Sequence, residues 1–397
     1  MLRPTSVAAG GEAVARGDDG RVVFVSGALP GETVTVELTE ERKRFARGHV
    51  VEVLEASADR VAPPCPHVAL GCGGCGWQHV APATQRELKV TIVRDALERL
   101  GKVESPRVDA GPELTSAGHR TTVRLAVRDG RVGFRRSRSH DVVEVDDCLV
   151  AHPLLADLLV IDFGRASEVT LRCGAGTGQR LVLAAPSAAG IEVPDGVVLV
   201  GEDELRAGRR AWIHEEVAGR RFRVSARSFF QARPDGAEAL VDAVRAAAAG
   251  APDGRMIDAY GGVGLFAATI GESRPVTLLE WSASSVADAR ANVPSAKVLK
   301  LDVAKWQASN AALVVADPSR DGLGATAVAT LAATHATHLV LVSCDPASLG
   351  RDAALLAGHG FRHDGTTLVD LFPHTPHTEA VSRFIREDDR LRRARDE

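Results

Sequence analysis

Aromatic residues are scarce in this chain: one Tyr, four Trp and 11 Phe make up 4% of 397 residues. Few side chains can therefore serve as stacking platforms. An excess of charge of either sign is equally lacking. Lys and Arg together number 48 against 52 Asp and Glu, a net charge of -4, so any nucleic-acid surface must be a local patch. No apolar run reaches the length of a membrane-spanning helix, and Met1-Leu-Arg-Pro-Thr-Ser6 has no signal-peptide core. A cytoplasmic protein without membrane association is expected. There are only six cysteines, and in a reducing compartment they are better read as ligands or nucleophiles than as disulfides.

A chain this long exceeds one ordinary core, so two or three domains are expected, and 45% hydrophobic residues mark it as globular. Residues 1–57 alternate with period two, as in Arg21-Val-Val-Phe-Val25 and Thr33-Val-Thr-Val-Glu-Leu38 around a Gly27–Gly31 turn. That pattern predicts a small antiparallel β-barrel. Its basic run, Arg42-Lys43-Arg44 with Phe45 and Arg47, is expected in a loop, where charge with an interleaved aromatic suits an oligonucleotide. Residues 58–225 carry strand-like stretches, Thr121–Val127 and Asp141–Val145, and one helix over 83–100 with Leu88, Ile92, Val93, Leu97 and Leu100 near helical spacing. From 226 to 397 apolar strands at 255–259, 276–280, 296–301, 313–317 and 338–342 alternate with Ala-rich helices. The alternation predicts an α/β domain with a parallel, doubly wound sheet whose ligands sit beyond the strand ends.

Chemistry-bearing residues gather at those ends. Asp258-Ala-Tyr260-Gly261-Gly262-Val-Gly264 lets backbone approach a ligand, and Glu280 adds the carboxylate expected on a ribose diol. With Asp302 and Asp317 ending two more strands, the series favours a nucleoside cofactor, either a dinucleotide or S-adenosylmethionine. Val340-Leu-Val-Ser-Cys344-Asp-Pro346 puts a thiol just before a helix start, where unpaired amides and the macrodipole are expected to lower its pKa. Asp370–Glu379 forms a Pro-bounded loop of histidines whose Glu379 is a candidate general base. Cys65, Cys72 and Cys75, spaced Cys-x6-Cys-x2-Cys in a Gly-rich setting, indicate a metal site with Cys148 available as fourth ligand; zinc and an iron–sulfur centre share that ligand set. Cys173 has no companion and reads as a core residue.

Taken together, nearly the whole chain resembles the RNA 5-methyluridine methyltransferases of the TrmA and RumA group. The most specific segments are Ser228-Phe229-Phe230-Gln231, Asp317-Pro-Ser-Arg320-Asp-Gly322, Ser343-Cys344-Asp-Pro346 and Phe372-Pro-His-Thr-Pro-His-Thr-Glu379. The resemblance implies an OB-like TRAM barrel, a central β-rich domain with a [4Fe–4S] cluster on Cys65, Cys72, Cys75 and Cys148, and a class I, Rossmann-like methyltransferase domain using S-adenosylmethionine. The helix at 83–100 would pack on that last domain. Gln231, Tyr260, Glu280 and Asp317, with Asp302, would contact the cofactor, and Phe229 would face the target base. Cys344 would add to carbon 6 of a uridine and Glu379 would remove the proton from carbon 5. The implied partner is RNA, transfer or ribosomal, held by the barrel, Arg131–Arg138 and Arg220–Arg223; a monomer without an obligate protein partner is the simpler expectation. Two departures stand out: the family commonly has Tyr-Cys-Gly at Tyr260-Gly261-Gly262, and a polar residue at Leu265. Competing readings are a nicotinamide-dependent oxidoreductase, which leaves Cys344 and Glu379 unexplained, a non-catalytic RNA-binding or folding protein, and a TRAM-bearing radical enzyme, whose Cys-x3-Cys-x2-Cys is absent.

Overall fold

The computed structural model describes residues 1–137 and 139–387. Arg138 of the arginine-rich stretch and residues 388–397 of the expected third domain lie outside the described residues. The first strands are β1 (Ser6–Val7), β2 (Ala13–Arg16), β3 (Val22–Ser26), β4 (Thr33–Glu41) and β5 (Phe45–Glu55), in the order β1-β2-β3-β5-β4. Leu2 bridges to Val34, drawing the two edges together around Ala13, Val23, Val25, Val34 and Ala46. The barrel is not wholly antiparallel as expected, because β3 and β5 run parallel. Phe45 and Arg47 also differ from expectation: they lie in β5, and Arg47 is ion-paired with Glu12 while stacking on the Phe24 ring. Only Arg42-Lys43-Arg44 of that run lies in the connecting turn.

After a cysteine-bearing loop comes α1 (Pro82–Arg99), then β6 (Val108–Ala110). Leu100 is exposed rather than part of the buried face, and Gln85 and Lys89 are buried in its stead because both bond to a distant loop described below. Gly350 makes the packing of α1 possible, since a Cβ there would come 2.6 Å from the Ala96 carbonyl oxygen. The middle sheet comprises β7 (Thr122–Arg128), β8 (Arg131–Arg135), β9 (Val142–Glu144), β10 (Glu168–Cys173), β11 (Arg180–Ala185) and β12 (Val197–Gly201), ordered β12-β11-β10-β7-β8-β9. Its core of Val123, Leu125, Leu155, Phe163 and Leu171 contains Cys173. After α2 (Glu202–Arg206), the hairpin of β13 (Trp212–Val217) and β14 (Arg220–Ser225) turns Ile213 toward the middle sheet and Phe222 toward the next core.

The remaining elements are α3 (Pro234–Ala248), β15 (Met256–Ala259), α4 (Leu265–Thr269), β16 (Val276–Glu280), α5 (Ala283–Asn292), β17 (Lys297–Lys300), β18 (Leu313–Ala316), α6 (Gly324–Ala332), β19 (His338–Ser343), α7 (Pro346–Gly358), β20 (Phe361–Leu368) and β21 (Ala380–Arg386). The strands form one eight-stranded sheet, β17-β16-β15-β18-β19-β21-β20-β6. Five are parallel, and their continuous apolar runs reflect burial on both faces. The sheet is mixed rather than purely parallel: β21 runs antiparallel to β19 and to β20, and β6 adds an edge strand from the preceding segment. α1 packs on the same face as α6 and α7, sharing a core through Val93, Leu97, Leu331, Leu349 and Leu356. The chain leaves β15 in one direction through β16 and β17, then resumes on the other side at β18, so the crevice at the ends of β15 and β18 is the topological switch point. Among the described residues no helix is long and apolar enough to cross a membrane.

Candidate active site and cysteine recess

Tyr260 follows β15 with φ of 60°, an uncommon conformation for a residue with a side chain. Burial and the neighbouring Asp302 and Asp352 push its phenol up to about 12. Gly262 opens onto free space, since a Cβ there would have no atom within 4 Å, and a ligand can therefore reach its backbone. Beneath the loop, Glu280 ends β16 and accepts hydrogen bonds from the Gly262 amide at 3.0 Å and the Ser282 amide at 2.6 Å. Asp302 is exposed and caps a short turn, accepting from the Ala304 amide at 3.0 Å. Leu265 is buried in the core, where a polar side chain would lack water.

Sequence reasoning passed over the role of Asp258, which is fully buried. One carboxyl oxygen accepts from the Ala267 amide at 2.9 Å, and the other has no hydrogen-bond partner among the described residues. Burial pushes its pKa up to about 8. Its place at the head of Asp258-Ala-Tyr-Gly is the signal that could have found it.

Three expected site residues meet beside this crevice. Cys344 lies between β19 and α7, Asp317 follows β18, and Glu379 precedes β21. The thiol is pushed up to about 12, first by burial and then by Glu379 and Asp317, with Arg320 opposing. This reverses the expectation of a thiol activated by the helix start. The physical reason is that Asp345 caps α7 itself, accepting from the Ser348 amide at 2.7 Å, while two carboxyls face the sulfur. Glu379 is buried and its pKa is raised well above the ordinary range, by burial and then by Asp317. Burial alone raises Asp317 to about 7.

The Ser228-Phe-Phe-Gln segment is fixed by the Ser228 hydroxyl, which donates to Asp288 at 2.6 Å. Phe230 is buried against Phe222, whereas Phe229 is 68% exposed. Gln231 is buried and lines a narrow recess with Thr121, Arg172 and Glu215. Arg223 is committed to the fold through Asp288, and Arg131 pairs with Glu144, which leaves fewer arginines for a ligand than those stretches implied.

The four cysteines of the expected metal motif converge from two stretches of chain. Cys65, Cys72, Cys75 and Cys148 line one recess, together with His67 and Arg120. Gln78 fastens the loop, its side-chain oxygen accepting from the Cys65 amide at 3.0 Å. No three of the four sulfurs, among the described residues, lie within 4.8 Å of one another. His67, which sequence reasoning also passed over, sits 3.7 Å from the Cys65 sulfur and 3.4 Å from Asp147.

Residues 5–51 match the TRAM domain family. An RNA methyltransferase of Streptomyces avermitilis is 34% identical over 413 residues, covering 95% of each chain. The 23S rRNA (uracil(1939)-C(5))-methyltransferase RlmD of Halomonas elongata is 32% identical, covering 94% of this chain and 86% of its own. The chain belongs to the RNA (uracil-C5) methyltransferase family. The fold agrees at lower identity: the structure of Pyrococcus abyssi tRNA (uracil-54, C5)-methyltransferase, solved with S-adenosyl-L-homocysteine, superposes with a TM-score of 0.73 at 22% identity, covering 97% of this chain and 100% of that one. The matched TRAM residues run from just before β1 into β5.

Proposed function

We propose that the protein methylates carbon 5 of a uridine in RNA, with Cys344 as nucleophile and Glu379 as base. The observation that carries the reading is the meeting of Cys344, Asp317 and Glu379 at the ends of β18 and β19, where the pairing of Ser343 with Ala380 sets Cys344 beside Glu379. Carbon 5 of uracil is a weak nucleophile, so electron density has to be pushed into the ring. Cys344 does this as the thiolate, after its proton has passed to solvent: the sulfur bonds to carbon 6, which leaves an enolate whose carbon 5 takes the methyl group. Glu379 then accepts the proton from carbon 5, and the carbon 6–sulfur bond breaks to return the thiolate. In the free protein burial raises both groups, with repulsion from Asp317 on each and from Glu379 on the thiol adding to it. Arg320, which already lowers the thiol pKa, is the residue of this chain that works against that repulsion.

S-adenosylmethionine, when bound, supplies the methyl group and a cationic sulfonium. The crevice fits it: Gly262 leaves its backbone open to a ligand, and Glu280, pinned beneath, offers a carboxylate to a ribose diol. Tyr260, Asp302, Asp317 and Gln231 complete the proposed cofactor set. Phe229, exposed beside the anchored Ser228, is the proposed face for an extruded base.

For the recess, a [4Fe–4S] cluster on Cys65, Cys72, Cys75 and Cys148 is the proposed occupant. What supports it is the chemistry of the donor set, four thiols lining one recess, which matches the ligand set of an iron–sulfur centre. Such a centre would tie the cysteine loop to the edge of the middle sheet.

The test of the mechanism is a Glu379→Gln variant incubated with S-adenosylmethionine and undermodified RNA. A denaturation-resistant protein–RNA adduct that accumulates in this variant is expected, because the methylated intermediate cannot lose its proton. Absence of the adduct, with methylation retained, excludes Glu379 as the base.

A further inference from the structure

His374 sits in the loop between β20 and β21 that ends at Glu379, and its φ of 64° is in the left-handed region. A non-glycine residue holds that conformation only where its surroundings over-determine it. Here they do, from three separate parts of the chain. The His374 amide donates to the Gln85 side-chain oxygen on α1 at 2.7 Å. Its carbonyl accepts from the Trp77 amide in the cysteine loop at 2.8 Å. Its ring Nε2 donates to the Ser116 carbonyl at 3.1 Å.

Trp77 is the node of this arrangement. Two residues beyond Cys75, it is 4% exposed. Its carbonyl accepts from Gln85 at 3.1 Å, and its indole N–H donates to the Gly11 carbonyl, in the barrel turn between β1 and β2, at 3.0 Å. Gly11 has φ of 82°, and a Cβ there would overlap Pro376 and come 2.9 Å from the indole nitrogen. The barrel turn therefore rests directly on the loop that carries Glu379. Leu29 of the barrel, Trp77, Val80 and Ile92 of α1 form one small core behind the contact.

We propose that Trp77 is a positioning residue for the Glu379 loop, joining the TRAM barrel and the cysteine loop to the segment that presents the base. The proposal rests on the proposed role of Glu379 for its catalytic consequence, while the clasp itself is a matter of this chain's contacts. Removing the indole N–H while keeping a ring, as in Trp77→Phe, frees the barrel turn from the node. Gly11→Ala wedges the same contact from the barrel side, its Cβ pressing on Pro376 and the indole nitrogen while the Trp77 side chain itself is kept.

Two measurements on the full-length protein test the proposal. Hydrogen exchange of residues 370–379 reads the clasp whether or not uridine is methylated. Faster exchange there in both variants, with the strands of the large sheet still protected, is the expected result; unchanged exchange overturns the proposal. Turnover with S-adenosylmethionine and RNA then reads the consequence. Trp77→Phe is expected to lower kcat about tenfold or more, with KM for S-adenosylmethionine within about twofold, and to accumulate the protein–RNA adduct as Glu379→Gln does. A raised KM for RNA at unchanged kcat means that Trp77 only seats the barrel and overturns the positioning role. If Glu379→Gln itself gives neither adduct nor loss of turnover, the reading of Glu379 fails, and the positioning role falls with it even where exchange responds.

Discussion

Lys89 and Asp370, 281 positions apart in the chain, form a buried ion pair with Nζ 2.6 Å from Oδ1. Lys89 also donates to the Phe372 carbonyl at 2.9 Å, so one ammonium holds the start of the Glu379 loop against α1. Breaking a buried pair by removing one partner strands the other charge. Lys89→Met is expected to cost about 3–5 kcal/mol, and Lys89→Met with Asp370→Leu together clearly less, as read by urea denaturation. Equal losses in the single and double variants would show that the pair is not what holds the loop.

Gly261 explains one departure from the family pattern. A Cβ at this position would lie 2.5 Å from Leu278 Cγ and 3.0 Å from Asp258 Cγ, so a side chain fits only if Leu278 gives way. Gly261→Ala is expected to destabilise by about 1–3 kcal/mol, and the same change in a Leu278→Ala background to cost little. Additive losses in thermal or urea denaturation would contradict this.

The parallel strands are legible in the sequence because each is a short apolar run, and an acid or a thiol often closes it: Asp317 and Cys344 mark the ends of β18 and β19. β20 and β21 are not, since Phe361-Arg-His-Asp-Gly-Thr-Thr-Leu368 has no sustained alternation, and three-residue β6 is too short to signal itself. The position of Cys344 is legible and its electrostatics are not. The helix start is local, but the carboxyls of Asp317 and Glu379 that raise the Cys344 thiol arrive through tertiary structure. The same limit hides Lys89 and Gln85, which read as the polar face of α1 until the Glu379 loop is laid over them.

Asp258 gives a pH signature. Its folded pKa of about 8 lies above the ordinary value of 3.8, so the folded state holds a proton that the unfolded chain releases. The stability it contributes is complete below 3.8 and is lost as pH rises through about 8. Relative to the wild type, Asp258→Asn is expected to gain at least about 2 kcal/mol between roughly pH 5 and pH 9. Parallel stability curves would refute the assignment.

The cysteine recess predicts a bound inorganic centre. Protein purified without oxygen is expected to contain iron and sulfide in equal amounts and to show the broad visible absorbance of an iron–sulfur protein. Cys148→Ser should lower the iron content although Cys148 is remote in sequence from the other three. Stoichiometric zinc without sulfide would exclude the cluster.

The most direct test of uridine methylation through Cys344 is nucleoside mass spectrometry on undermodified transfer and ribosomal RNA, incubated separately with S-adenosylmethionine and either wild-type protein or Cys344→Ala. New 5-methyluridine in one RNA fraction with the wild type, and none with Cys344→Ala, is the expected result. Equal 5-methyluridine from both proteins, or none from the wild type, would contradict it.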